Sequence, residues 1–134
     1  MILGIGCDIV KISRFAKGTS FLNHMMKKHF TLAEIDEIKK QTANLTEPML
    51  AMAIATRFSG KESVSKALGS GFQDGITLKD IEILHDEMGC PHVNLYNQAL
   101  SRAYFVSKNQ QFIIHITLSN EKEFTNTVAV MESI

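Results

Sequence analysis

The chain has 134 residues, of which 45% are apolar and 21% are charged, and this composition predicts one globular domain over residues 1–134. Its 14 Lys and Arg residues balance its 14 Asp and Glu residues, so no overall field indicates a nucleic-acid partner. The two cysteines, Cys7 and Cys90, have no CxxC spacing, which excludes a disulfide framework and does not indicate a zinc site. The first ten residues lack a basic leader and contain Asp8, so we expect no secretory signal, no membrane partner and a cytoplasmic protein.

The first predicted element is a strand at residues 2–10, where side chains alternate between two faces. One face is apolar. The other face is nearly bare around one carboxylate and is formed by Gly4, Gly6 and Asp8. Removing an unpaired carboxylate from water into apolar surroundings costs several kcal/mol, so Asp8 is expected to have a partner.

Two helices are predicted next. Thr31 and Glu34 form a capping box, which predicts a helix from Thr31 to about Lys40. A longer helix is expected from Glu47-Pro48 to Leu68, because proline is tolerated in a first turn and Gly69 can cap the end. Its candidate buried stripe is Leu50, Ile54, Phe58, Val64 and Leu68.

The second half of the chain predicts mainly strands. Residues 81–84 and 93–96 flank a turn and suggest an antiparallel pair. A helix is predicted at 97–108 with Asn97 as its N-cap, followed by strands at 112–119 and 125–131. The order strand, helices, strands, helix, strands favours an α+β fold with a mostly antiparallel sheet over a parallel one.

The long helix carries a cluster of charges. Glu62 and Lys66 are four residues apart, which on an exposed face is an ion pair worth about 0.2–0.5 kcal/mol. Arg57 and Lys61 add cations at the same spacing, and the helix runs into the turn Gly69-Ser70-Gly71. Cations beside a glycine-rich turn suit phosphate, although a capping glycine explains the turn equally well.

Asp8 and Glu62 fit a magnesium ion that keeps several waters and takes one or two protein carboxylates plus substrate phosphates. The room for such an ion would come from Gly4 and Gly6. Sequence separation does not establish that the two acids meet.

Four segments occur in the order typical of one family: GIGCDIVKISR, RFSGKESVSKALGSG, LKDIEILHDEMGCPHV and TLSNEKEF. Together they resemble the holo-acyl-carrier-protein synthases over nearly the whole chain. The resemblance implies a 4'-phosphopantetheinyl transferase fold, with a mostly antiparallel sheet packed against a long helix, and a homotrimer with sites between subunits.

The resemblance also implies an activity. The enzyme would transfer the 4'-phosphopantetheine group of coenzyme A to a serine of apo acyl carrier protein, releasing adenosine 3',5'-bisphosphate, in support of fatty acid biosynthesis. By motif match, Asp8 and Glu62 would hold Mg²⁺, and Lys66 would complete the catalytic set. Either Glu62 or a metal-bound water would be the general base. The family's coenzyme-binding positions correspond to Arg57, Lys61, Lys66, Gly69, Ser70, Gly71 and Asn120.

Two positions depart from the family pattern. Asn120 stands where histidine is common after the Ser-Leu-Ser-like strand end, and asparagine cannot carry positive charge. Ser63 stands where alanine is usual, a change that a helix should tolerate.

Residues 11–30 contain no Asp or Glu and form a basic segment in a neutral chain. An ordinary solvated face is the plain explanation. Since acyl carrier proteins are acidic and dock on the early helix of this family, the cations of the segment are the expected docking surface, formed by Arg14, Lys17, Lys27 and Lys28. Met25 and Met26 could add apolar contact, with at least one of them in the core.

Two other functions use the same residues. A magnesium-dependent hydrolase of nucleotide pyrophosphates would need the same carboxylates and cations. A noncatalytic module could use the basic segment to bind an acidic protein. Neither explains the ordered series of motifs.

Overall fold

The computed structural model describes residues 1–44 and 46–134 and shows five strands and four α-helices among them. A strand, β1, opens the chain. Three helices and a hairpin follow, and a fourth helix precedes the last two strands. The elements are β1 (Ile2–Lys11), α1 (Thr19–His29), α2 (Leu32–Gln41), α3 (Glu47–Ala67), β2 (Ile81–His85), β3 (Pro91–Leu95), α4 (Asn97–Val106), β4 (Phe112–Asn120) and β5 (Phe124–Ser133).

The strands form two antiparallel sheets, which confirms the α+β architecture predicted from the sequence. The larger sheet has the order β1-β5-β4, so the chain's first strand pairs with its last. In this sheet Asp8 lies opposite Thr127, and Thr127 lies opposite Leu118. Strands β2 and β3 form the smaller sheet.

Helix α3 packs on one face of the larger sheet, and two glycines of β1 allow the contact. A Cβ atom on Gly4 would lie 1.9 Å from the carbonyl oxygen of Ala67, and one on Gly6 would lie 1.9 Å from that of Ser63. The sequence suggested that these glycines make room for an ion. The structure corrects this: they let the backbone of α3 approach the strand.

Two apolar clusters form the core around α3. The first joins α1 and α2 to the first half of α3 and includes Leu22, Phe30, Ile38 and Ile54. The second joins the last turns of α3 to β2, α4 and β5, and includes Val64, Leu68, Ile81, Ala103 and Met131. Of the predicted stripe, Leu50 and Phe58 are only partly buried. No described helix is both long and apolar enough to cross a bilayer.

The predicted helix ends are confirmed except at α4. Thr31 and Glu34 form both bonds of the capping box, and Gly69 adopts φ +78° just after α3. At α4 the N-cap is Tyr96, and Asn97 is the first helical residue. The side chain of Asn97 donates to Oδ1 of Asp80, so it fastens α4 to the turn before β2.

Candidate active site

The structure brings Asp8, Glu62 and Lys66 together at the β1 edge of the contact between helix and sheet. The ammonium of Lys66 donates to the carbonyl oxygen of Cys7 at 2.9 Å and to Oδ1 of Asp8 at 3.3 Å. Lys66 is therefore the partner that Asp8 was expected to have. Because 49% of the Lys66 side chain remains exposed, its ammonium can also reach a ligand from solvent.

The two carboxylates of this cluster are not fully satisfied by the protein. Oδ2 of Asp8 is buried and has no hydrogen-bond partner among the described residues. Partial burial, together with the nearby charge of Asp8, raises the pKa of Glu62, although Lys66 opposes the rise. The two carboxylates repel each other, and one of them has an oxygen without a hydrogen-bond partner. A hard divalent cation binds such oxygen ligands and would offset their repulsion.

The turn after α3 lies next to Lys66, but two of its backbone N–H groups already donate hydrogen bonds to carbonyls of α3. The N–H of Gly69 donates to the carbonyl of Lys66, and that of Gly71 donates to the carbonyl of Ser65. Arg102 closes the same helix end by donating from Nε to the carbonyl of Leu68 at 3.0 Å. The capping explanation of the glycines is thus the one that the geometry favours. No local pattern in the sequence marked Arg102, which lies 34 residues from Leu68.

Lys61 does not join the cluster. Its ammonium is fully buried and donates to Oε1 of Glu34 at 2.7 Å and to the carbonyl oxygens of Leu78 and Ile81 at 2.9 and 2.6 Å. These contacts use all three donors, so none remains for a coenzyme phosphate. Burial lowers the pKa of Lys61, while Glu34 opposes the shift.

Arg57 and Asn120 lie beside another recess. Nη2 of Arg57 donates to Glu37 at 2.7 Å and to Gln41 at 3.0 Å. Burial alone would raise the pKa of Glu37, but hydrogen bonds from His85 and Arg57 hold it below its ordinary value. Arg57 and Asn120 both line a cavity of about 320 Å³. Since Asn120 is on β4 and Asp8 is on β1, the two outer strands of the sheet, the chain does not bring this recess to the acidic cluster.

The cations of the basic segment are exposed, and two of them border an apolar recess. Arg14, Lys17, Lys27 and Lys28 are all exposed, and Met26 is buried as expected for one of the two methionines. A cavity of about 240 Å³ is lined by Arg14, Phe15, Lys17, Phe21, Met25 and Phe58. The ammonium of Lys17 lies 5.3 Å above the Phe21 ring, so cations border an apolar floor.

Comparison with known proteins decides the family. The family model described as the 4'-phosphopantetheinyl transferase superfamily matches residues 4–124. The chain belongs to that superfamily. A holo-[acyl-carrier-protein] synthase from Clostridium beijerinckii is 37% identical over 134 residues, covering 100% of both chains. The protein is thus an enzyme of the phosphopantetheinyl transferase class, as the ordered motifs predicted.

Two solved structures of phosphopantetheinyl transferases share the fold. The holo-acyl-carrier-protein synthase of Plasmodium yoelii is 30% identical, with a TM-score of 0.80 over 98% of this chain and 94% of its own. That of Bacillus anthracis, in complex with CoA (3',5'-ADP), is 30% identical, with a TM-score of 0.77 over 100% and 99%. These similarities confirm the fold that the motifs implied.

The transferase fold accommodates both departures from the family motifs. Oγ of Ser63 donates to the carbonyl of Thr127 at 3.0 Å, so the extra hydroxyl is satisfied between α3 and β5. Oδ1 of Asn120 accepts a hydrogen bond from Thr56 at 2.7 Å, which fixes the amide at the end of β4. Neither residue disturbs the cluster at Asp8.

Proposed function

We propose that this protein transfers the 4'-phosphopantetheine arm of coenzyme A to a serine of apo acyl carrier protein and releases adenosine 3',5'-bisphosphate. The convergence of Asp8, Glu62 and Lys66 at one edge of the fold carries the proposal, in a chain related over its full length to holo-[acyl-carrier-protein] synthases. Since the proposed substrates are cytosolic, we place the enzyme in the cytoplasm, where it would support fatty acid biosynthesis.

Asp8 and Glu62 are the proposed ligands of Mg²⁺. Oδ2 of Asp8 has no hydrogen-bond partner, and burial with the nearby charge of Asp8 raises the pKa of Glu62, so the single cation Lys66 does not balance the two carboxylates. Magnesium would supply positive charge to the pyrophosphate and to the leaving phosphate. Its preference for oxygen ligands agrees with this donor set.

The protein's own groups have distinct roles in the proposed reaction. The serine oxygen of the carrier forms a bond to the phosphorus that bears pantetheine, and the bond to the phosphate of adenosine bisphosphate breaks. Lys66, held by Cys7 and Asp8 but half exposed, stabilises the charge on the leaving oxygen. Glu62, which lies in the same cluster as Asp8 and Lys66, or a water held there by the metal would accept the serine proton.

The coenzyme site is proposed to lie between subunits of a homotrimer. The sheet face turned away from α3 exposes Ile5 (62%), Ile9 (64%) and Ile113 (42%), an apolar surface that a second copy would cover. The recess at Asn120 would then serve the acidic cluster of a neighbouring subunit. The proposed coenzyme contacts are Lys66, Asn120 and the turn at Gly71, where no atom beyond the adjacent residues lies within 4 Å of the position that a Cβ would take. Arg57 forms part of the wall of the recess. A mass of one chain in light scattering would contradict the trimer.

The direct test is to incubate the protein with coenzyme A, Mg²⁺ and an apo acyl carrier protein, and to follow the carrier by mass spectrometry. We expect the carrier to gain one phosphopantetheine as adenosine bisphosphate appears. Adenosine bisphosphate without a mass gain would indicate pyrophosphate hydrolysis instead. Carrier binding with neither product would indicate a noncatalytic module.

Carrier docking is proposed at the basic segment. Arg14 and Lys17 border the apolar recess at Phe21, which fits an amphipathic helix with an acidic face. Replacing Arg14 by glutamate is expected to raise KM for the carrier roughly tenfold and to leave kcat within about twofold, because a rim charge acts mainly on association.

The control for this variant is Lys108→Glu, which reverses an exposed charge in the loop after α4. Initial rates at low and high salt separate the two variants. The advantage of the wild type over Arg14→Glu should shrink as salt rises, because surface charges are screened. Equal KM values for both variants at low salt would place docking elsewhere.

A further inference from the structure

The hairpin of β2 and β3 carries a group of metal-ligating side chains that does not belong to the cluster at Asp8. A carboxylate oxygen of Asp86, the thiol sulfur of Cys90 and a ring nitrogen of His92 all lie within 4.8 Å of one another. All three residues are exposed. The proposed transferase reaction has no role for them.

The hairpin backbone holds these three residues close together. The N–H of Asp86 donates to the carbonyl of Cys90 at 2.9 Å, and the N–H of Gly89 donates to the carbonyl of Asp86 at 3.0 Å. Along β3 the register pairs His92 with Leu84. Because side chains two residues apart in extended backbone point to the same side, Cys90 and His92 project together beside Asp86.

Hydrogen bonds orient the carboxylate and favour its charged form. Oδ1 of Asp86 accepts the backbone N–H groups of Met88 at 2.9 Å and of Cys90 at 2.8 Å. These bonds, with one from His92, hold the pKa of Asp86 below its ordinary value. Oδ2 lies 3.1 Å from Nε2 of His92, so an oxygen and a nitrogen ligand already face each other next to the thiol.

We propose that Asp86, Cys90 and His92 bind one divalent transition-metal ion of the zinc class through a carboxylate oxygen, a thiolate and an imidazole nitrogen. Zinc takes all three ligand types and prefers four-coordinate geometry. Because the group is exposed, water or a ligand from another molecule occupies the fourth position. Binding removes the thiol proton of Cys90, so affinity rises with pH.

This site is chemically different from the proposed magnesium site. Magnesium avoids thiolate and prefers oxygen ligands, whereas a site with sulfur and nitrogen ligands selects softer ions. The spacing Asp-x-x-x-Cys-x-His is not a common zinc motif, and the cysteines alone did not indicate it. The hairpin, rather than the spacing, assembles the ligands.

Cobalt titration tests the proposal, since Co²⁺ replaces Zn²⁺ and reports sulfur ligation by a charge-transfer absorption. We expect wild-type protein without magnesium to give this absorption, to saturate at about one Co²⁺ per chain, and to lose it on adding Zn²⁺. Cys90→Ser should abolish the absorption. His92→Ala should weaken cobalt binding at least about tenfold, the low end of the loss caused by removing even an outer contact to a metal.

Cys7→Ser is the matched control, because it removes the chain's other thiol and leaves the hairpin unchanged. This variant should keep the charge-transfer absorption and the cobalt affinity. Absorption that is absent in the wild type, or that is lost in Cys7→Ser and kept in Cys90→Ser, would overturn the proposal. The contact between Asp86 and His92 would then be an exposed ion pair and nothing more. None of these results depends on transferase activity.

Discussion

Replacing Glu62 by glutamine is expected to lower kcat/KM for phosphopantetheine transfer by a factor of about 10² to 10³. The substitution removes a proposed magnesium ligand and the group proposed to accept the serine proton, and losing one such contribution typically costs this much. The rate is measured by mass spectrometry of the carrier. Glu87→Gln, the same change in the exposed turn of the hairpin, should leave the rate unchanged.

The same Glu62→Gln variant is expected to be more stable than the wild type when no metal is present. Burial and Asp8 raise the pKa of Glu62, so the folded chain binds its proton more tightly than the unfolded chain. Ionised Glu62 therefore destabilises the fold at neutral pH. This penalty disappears as pH falls below the ordinary pKa of glutamate, so the difference in Tm should shrink near pH 4.

Adding Mg²⁺ should reverse the order of stability. An ion that binds only the folded chain raises its Tm, and the gain should be larger for the wild type, which has both carboxylates. Thermal unfolding of both proteins, with and without Mg²⁺, gives this comparison independently of turnover. An equal gain in Tm for the two proteins would exclude Glu62 as a ligand, even if the variant were inactive.

Replacing Lys61 by methionine is expected to reduce the free energy of unfolding by about 3–5 kcal/mol, the usual cost of breaking a buried ion pair by removing one partner. The change leaves the buried carboxylate of Glu34 without its cation and removes the hydrogen bonds to Leu78 and Ile81. Glu34 also accepts the N–H of Ile83, so this pair joins α2, α3 and β2. Urea unfolding followed by circular dichroism measures the loss.

Lys40→Met is the control for Lys61→Met. Its ion pair with Asp36 is formed by side chains that are 77% and 66% exposed. Such pairs contribute at most about 0.5 kcal/mol, so the control should unfold at nearly the wild-type urea concentration. If both lysine variants lost the same small amount, the buried pair would not be the connection between helix and hairpin that the contacts indicate.

Local signals in the sequence determined most of the secondary structure. The alternation in residues 2–10, the capping box at Thr31 and the proline in the first turn of α3 each depend on residues close together in the chain. Such signals act without tertiary contacts, so the predicted elements are observed. Helix α1 (Thr19–His29) was not predicted, because it starts at Gly18 without a side-chain cap. Asn97 is an exception, because its side chain bonds to Asp80 instead of capping the helix.

The ordered motifs of the whole chain also determined the family, and with it the candidate residues Asp8, Glu62 and Lys66. The sequence alone could not show that these residues meet. Asp8 and Lys66 are 58 residues apart, and their contact exists because Gly4 and Gly6 let α3 lie directly on β1.

Only the tertiary structure decided which cations of α3 remain available. Lys61 and Lys66 have the same side chain and are five residues apart, which places them about 140° apart around the helix axis. The Lys61 side chain lies between α2 and β2, where Glu34 and two backbone carbonyls accept hydrogen bonds from all three of its donors. The Lys66 side chain points to β1 and to solvent, and it stays half exposed beside Asp8. The difference arises from what packs against each side of the helix. The residue types and their spacing along the chain carry no information about that packing.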